Sequence, residues 1–185
     1  MLFLWVFAAT LSLVSSDCNV VPIEEWSGSN SNRVEKLPKP VNLVIIQHTV
    51  TTQCFTDTDC NKIINVIRNY HLNNRGFTDI AMSFLVGGNG KIYEGAGWHV
   101  GSHTRGYNNR SISLSFIGDF RTKLPSNEAL QAAIDFLDCA FYKNYLTMDY
   151  SLVGTQQLIP TLSPGEKLQS LIKTWPHWKE DVSQL

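Results

Sequence analysis

Charge is scarce in this chain. Asp, Glu, Lys and Arg supply only 17 % of its 185 residues, and 15 basic side chains nearly balance 16 acidic ones, for a net charge of −1. There is no basic field of the kind that holds a nucleic acid, and no acidic tail. After residue 16 no apolar run is long enough to span a bilayer, so no membrane and no nucleic-acid partner is expected. Internal repeats, low-complexity tracts and long linkers are also missing, which leaves one domain as the expected organisation. A Gly-x-Ser-x-Gly nucleophile elbow is absent, and the cysteine spacing matches no zinc pattern.

What is present begins with a processing signal. Leu2 to Ala9, extended by Leu11, Leu13 and Val14, is an apolar stretch followed by the small residues Ser15 and Ser16. It reads as a secretory signal peptide over 1–16, leaving a mature domain over 17–185, and it is shorter than the roughly 18 apolar residues a membrane anchor needs. Export places the four cysteines in an oxidising compartment, where an even number implies disulfides. Cys54 and Cys60 flank the turn-rich stretch 55–59 and are paired; Cys18 then pairs with Cys139, closing a loop worth roughly 4–5 kcal/mol in the chain-entropy model. Asn109-Arg110-Ser111 is a glycosylation sequon, which marks Asn109 as a candidate acceptor. The shortage of charge leaves a surface of Asn, Ser and Thr, suited to a polar, partly sugar-like ligand.

The periodicity predicts an α/β fold: a central mixed sheet of about five strands flanked by three helices. Leu43 to Ile46 is a continuous β-branched run, the mark of a strand buried on both faces, and it leads into the polar Gln47-His48-Thr49. Ile63, Ile64, Ile67, Tyr70 and His71 form a helical stripe over 60–73, closed by Asn73-Asn74-Arg75-Gly76. Asn89-Gly90 joins strands at 82–86 and 91–94 as a hairpin. Ser113 to Ile117 and a short strand at Val153 complete the sheet. Ser126 is the expected N-cap of a second helix bearing Leu130, Ala133, Ile134, Leu137 and Phe141. Ser163-Pro164-Gly165-Glu166 reads as a capping box opening a third helix, with Leu168, Leu171, Ile172 and Trp175 on its apolar side.

Seven segments occur here in the order known from one family: Val44 to Thr49, Asp79 to Gly87, Tyr93 to Trp98, Gly101 to Thr104, Ser115 to Phe120, Ser163 to Gly165 and Trp175 to Trp178. The chain resembles the peptidoglycan recognition proteins, relatives of phage-type amidases, from about Val20 to Trp178. It is most similar to their short secreted insect members, the SA type. Catalytic members of that family are zinc amidases, and a catalytic zinc needs about three protein ligands and an open position for water. The resemblance places those ligands at Gln47, Thr155 and Ser163. Gln, Thr and Ser are poor donors for zinc. The family's assisting Tyr falls at Met82, which cannot move a proton. The expectation is a protein with no metal, no cofactor and no amidase activity.

By the same resemblance, wall fragments lie in a groove beside the first long helix, against His48, Thr49, His71, Arg75, Gly76, Phe77, Met82, Trp98 and His103. His71 and Arg75 are four residues apart, so they are expected on one helix face. Arg75 can pair with a peptide carboxylate, and the histidines and Thr49 can bond sugar hydroxyls or peptide carbonyls. Members that prefer diaminopimelate carry Gly-Trp before the Asp-Ile segment and an Arg between the later glycines. Here those positions read Gly76-Phe77 and Ala96, which predicts a preference for lysine-type wall. The resemblance implies a secreted, extracellular receptor that binds bacterial peptidoglycan and feeds a Toll-type immune cascade through a protein partner. The alternatives are a residual hydrolase, amidase or carboxypeptidase, and an adaptor for another receptor.

Overall fold

The computed structural model describes residues 17–185; the expected signal peptide lies outside them. In chain order the elements are β1 (Val20–Val21), α1 (Ile23–Ser27), β2 (Val41–His48), α2 (Asp57–Asn73), β3 (Phe84–Val86), β4 (Ile92–Glu94), β5 (Ile112–Phe116), α3 (Asn127–Tyr142), β6 (Leu146–Gly154) and α4 (Glu166–Ile172). The strands make one sheet in the order β1-β4-β3-β5-β2-β6. Only the β3–β4 hairpin is antiparallel, and it turns at Gly90, whose φ of 77° suits glycine. β2 pairs in parallel with β5 on one side and β6 on the other. Its Val44, Ile45 and Ile46 are wholly buried, as a continuous β-branched run in a parallel sheet requires.

Helices cover both faces. On one, Val44, Ile46, Phe84 and Phe116 meet Ala133, Phe136 and Ala140 of α3 and Leu168 and Ile172 of α4. On the other, Leu85 and Tyr93 meet Cys60 and Ile64 of α2 and Ile23 and Trp26 of α1. Thr56 caps α2 and Ser126 caps α3, each accepting a backbone N–H three residues on. The disulfides Cys18–Cys139 and Cys54–Cys60 form as the spacing predicts. The first ties the N-terminal arm to α3. The second fastens the loop leaving β2 to the first turn of α2, beside the end of the central strand.

Three expectations need correction. Among the described residues four α-helices form rather than three, and six strands rather than about five; α1 and β1, five and two residues long, are too short to show a period. The buried stripe of α2 is Cys60, Ile64 and Arg68, so Tyr70 turns outward and an arginine takes a core position. Ser163 does not cap α4. That helix starts at Glu166 behind Gly165, because Gly165 N–H closes a turn on Leu162 O at 2.7 Å and moves the start past the serine.

Candidate binding site

The carboxyl end of β2 sets two adjacent polar residues on opposite faces of the sheet. Gln47 is 7 % exposed and every polar atom of its side chain is engaged. Its Oε1 accepts from Ser115 Oγ at 3.1 Å, and its Nε2 donates to Thr104 Oγ1 at 3.1 Å and His103 O at 3.3 Å. Thr104 Oγ1 also lies 3.1 Å from His103 Nδ1, so Ser115, Gln47, Thr104 and His103 form one buried chain. His48, on the other face, packs its ring toward Phe120 and accepts the Phe120 N–H at Nδ1, 3.2 Å. That bond leaves the proton on Nε2.

Thr155 and Ser163 bracket Gln47 from the chain beyond β6. Thr155 Oγ1 donates to Ile46 O at 2.9 Å, and Ser163 Oγ accepts the His48 N–H at 3.1 Å. The three positions to which the resemblance assigned zinc ligands therefore do meet around two consecutive peptide units of the central strand. Among the described residues, no three His, Cys, Asp or Glu side chains group as metal ligands. Thr49 is also occupied: its hydroxyl accepts from Gly118 N–H at 3.0 Å and sits 2.7 Å from Thr51 Oγ1. Past Thr51, a cavity of about 410 Å³ opens between residues 51–53 and the outer side of α2, where Lys62, Ile63 and Val66 line it. Of these residues the helical stripe named only Ile63; Ile63 and Val66 are apolar positions that the buried stripe of α2 does not use.

A second group forms at the end of α2. The helix stops at Asn73, so Arg75 follows it and does not share a helix face with His71. The two are nevertheless brought together: the His71 ring lies 5.5 Å from that of Phe77, and the Arg75 guanidinium stands 5.7 Å from the same ring. Gly76 permits the reversal between them with a φ of 64°. His71 Nδ1 accepts the Ala81 N–H at 3.1 Å, which again leaves Nε2 as a donor.

The stretch that carries Ile80, Ala81 and Met82 is held by groups the motif reading passed over. Arg68 reaches from the core stripe of α2 to Asp79 with bonds of 2.7 and 2.9 Å, a bidentate pair with both side chains buried. Asp79 also accepts from the backbone of Asn32 and of Ile80. Arg33 donates to the carbonyls of Ile80 and Val100. The sequence carried one usable sign of this: Arg68 stands four residues after Ile64 on an otherwise apolar stripe.

Two proposed contacts are not where the motif reading put them. Trp98 packs against Phe84 and Tyr145, with ring centroids 5.2 and 4.8 Å away, on the face covered by α3 and away from α2. Its apolar ring follows the larger core. Ala96 is 1 % exposed, so it offers no surface to a ligand; its N–H donates to Met82 O at 2.7 Å. What it contributes is the lack of a longer side chain. Met82 is half-buried against the α2 core. Asn109 lies exposed in a turn, while the Ser111 hydroxyl of its sequon is buried and donates to Tyr107 O.

Burial keeps the three histidines neutral. It lowers His48, with Asp119 pulling the other way, and lowers His71, with Arg75 and Arg33 adding to the effect. His103 is pushed down to about 4 by burial, and its Nε2 has no hydrogen-bond partner. The group at the end of α2 thus combines a cation, an aromatic face and one neutral imidazole donor, a set suited to carboxylates, carbonyls and hydroxyls.

The profile of the N-acetylmuramoyl-L-alanine amidase family matches residues 37–167. A peptidoglycan recognition protein of Trichoplusia ni is 47 % identical over 179 residues, covering 96 % of this chain and 98 % of the relative. Among solved structures, Apis mellifera PGRP-SA superposes with a TM-score of 0.85 at 42 % identity, covering 87 % of this chain and 98 % of the other. A human PGRP solved in complex with glycosamyl muramyl pentapeptide gives a TM-score of 0.83 at 38 % identity, with 87 % and 98 % covered.

Proposed function

Because the chain belongs to the peptidoglycan recognition protein family, we propose that it is a secreted receptor that binds bacterial peptidoglycan without cutting it. The observation that carries this reading is the bonding of Gln47, Thr155 and Ser163. The donor set does not fit zinc. All three are neutral, the Gln47 amide is committed at both ends, the Thr155 hydroxyl donates to a strand carbonyl, and Ser163 Oγ accepts a strand N–H. Met82 supplies no proton in place of a Tyr. Ser163 is also a poor nucleophile, because its contact with His48 is to the backbone N–H and the ring nitrogen Nδ1 is held by Phe120.

Binding falls to the surface from Thr49 to the end of α2. Neutral Nε2–H donors on His48 and His71 meet carbonyl and hydroxyl oxygens, and Arg75 meets a stem-peptide carboxylate. That a human relative was solved in complex with a muramyl pentapeptide supports a wall-fragment ligand. With no arginine at Ala96 and with Phe77 in place of Trp, the site lacks a charged partner for the extra carboxylate of diaminopimelate, so lysine-type wall is preferred. Export through the segment 1–16, action in extracellular fluid, glycosylation at Asn109 and signalling of the Toll type through an immune-cascade protein complete the reading. No helix among the described residues is long and apolar enough to cross a membrane.

Incubation of the purified chain with defined muropeptides, with and without added zinc, tests both halves at once. Stoichiometric retention of intact lysine-type fragments is expected. An amidase product above background would overturn the non-catalytic reading, and tighter retention of diaminopimelate fragments would overturn the preference.

A further inference from the structure

The face of the sheet opposite α2 carries a second cavity, of about 200 Å³, between α3, β6 and the turn after α4. Its walls are aromatic: Phe141, Tyr142, Tyr150, Trp175 and His177, the last stacked on Tyr150 at 3.9 Å with the rings 15° apart. A single carboxylate, Asp138, sits among them. Ile134, Asp138, Phe141 and Tyr142 follow helical spacing and make an outer stripe on α3, beside the buried stripe of Ala129, Ala133, Phe136 and Ala140. Tyr142 is 84 % exposed. Exposed apolar residues scattered singly need no explanation, but aromatics gathered around a cavity do.

Asp138 separates this cavity from a plain apolar dent. Among the described residues it has no hydrogen bond and no salt bridge, whereas Asp135 one turn earlier is bonded by Gln131. The neighbouring lysines are spoken for: Lys143 pairs with Asp17, and Lys173 pairs with Glu180 over the Trp178 ring. Asp138 and Tyr150 both line the cavity, Asp138 with its side chain exposed at the mouth; burial, with the charge of Asp138 adding to it, pushes the Tyr150 hydroxyl up to about 12. An unpaired anion ringed by π-faces is complementary to a planar cation, which stacks on the rings while its N–H groups bond the carboxylate.

We propose that this cavity receives an arginine side chain from a protein partner. The proposal rests on the receptor reading for its purpose, since a receptor whose wall site lies beside α2 has this opposite face left for its partner. Arginine is preferred to lysine because its flat guanidinium both stacks and forms paired bonds to carboxylate. Aromatic and arginine anchors of this kind dominate protein interfaces.

The test is a titration of the mature chain, followed by NMR, with acetyl-Gly-Arg-Gly-amide and with the same peptide carrying neutral, isosteric citrulline. Saturable shifts centred on the Trp175 indole, Tyr150 and His177 are expected for the arginine peptide, with citrulline at least tenfold weaker. Asp138→Asn reduces the arginine peptide to the citrulline level, and Tyr142→Ala, at an exposed position, weakens it several-fold. Equal response to the two peptides, or an unchanged Asp138→Asn variant, would overturn the proposal. Wall retention is measured on the same samples. Asp138→Asn keeps it in full, and a wild-type chain that binds the arginine peptide but not wall would sink the receptor reading while leaving the cavity as proposed.

Discussion

The end of β2 and the end of α2 hold similar residues and use them in opposite ways. At β2, Gln47, Ser115, Thr104 and the Nδ1 side of His103 bond one another, and Thr155 and Ser163 bond the strand backbone. At α2, His71 and Arg75 keep donors free and stand around the Phe77 ring. Polar groups enclosed with their partners contribute stability and uniqueness of structure. Polar groups left with unspent donors contribute binding. The difference separates a self-satisfied polar cluster from one that the proposed function assigns to recognition.

The largest expected effect that sharpens this contrast comes from acid. His103 has its pKa pushed from 6.5 down to about 4, so the unfolded chain takes up a proton before the folded one does. Stability is therefore full above pH 6.5, declines as pH falls from 6.5 toward 4, and levels off below, for a loss of at most about 3 kcal/mol from this group. Urea unfolding followed across that range shows the decline, and His103→Gln flattens it. An unchanged slope in the variant would break the claim that this buried chain is neutral and structural.

Next in size is Gln47→Leu, which keeps the volume but takes the partner of the Ser115 hydroxyl and the Gln47 donor of His103 O. A cost of about 1–3 kcal/mol is expected for the buried groups left unpaired. Thermal unfolding measures it, and wall retention by the folded variant stays near the wild type. A variant of full stability would mean the network carries no weight.

Arg75→Ala gives the smallest effect and the opposite signature. Retention of muropeptide falls roughly tenfold, as for loss of one charge-assisted bond, while the unfolding midpoint does not move. Sedimentation with insoluble wall reports the first, thermal unfolding the second. Loss of stability without loss of binding would reverse the assignment of the two regions.

Much of this was legible beforehand because it is local. The β-branched run 43–46, the Asn89-Gly90 turn, the Ser126 cap and the Cys54–Cys60 bridge follow from neighbours in sequence, and Cys18–Cys139 follows as the remaining pair. Ser163 misled because Ser-Pro-Gly-Glu satisfies the rules of a cap and of a turn alike, and Gly165 decided for the turn. The α3 stripe is rotated toward Ala129, Ala133 and Ala140, since small residues let the helix approach the sheet, and that leaves Ile134 at the rim of the aromatic cavity.

By itself the sequence determined the α/β class, the central strand and the Cys54–Cys60 bridge, because periodicity and side-chain chemistry act at short range; Cys18–Cys139 was what remained, and the three ligand positions came from the resemblance. Only the tertiary structure decided that Gln47 is bonded at both ends, that Arg68 is buried against Asp79, that Trp98 faces away from α2, and that Asp138 stands unpaired among aromatics. Each of these depends on which distant groups the fold brings together. Burial sets the cost of leaving a polar group unpaired, and no spacing along the chain reveals who its neighbours will be.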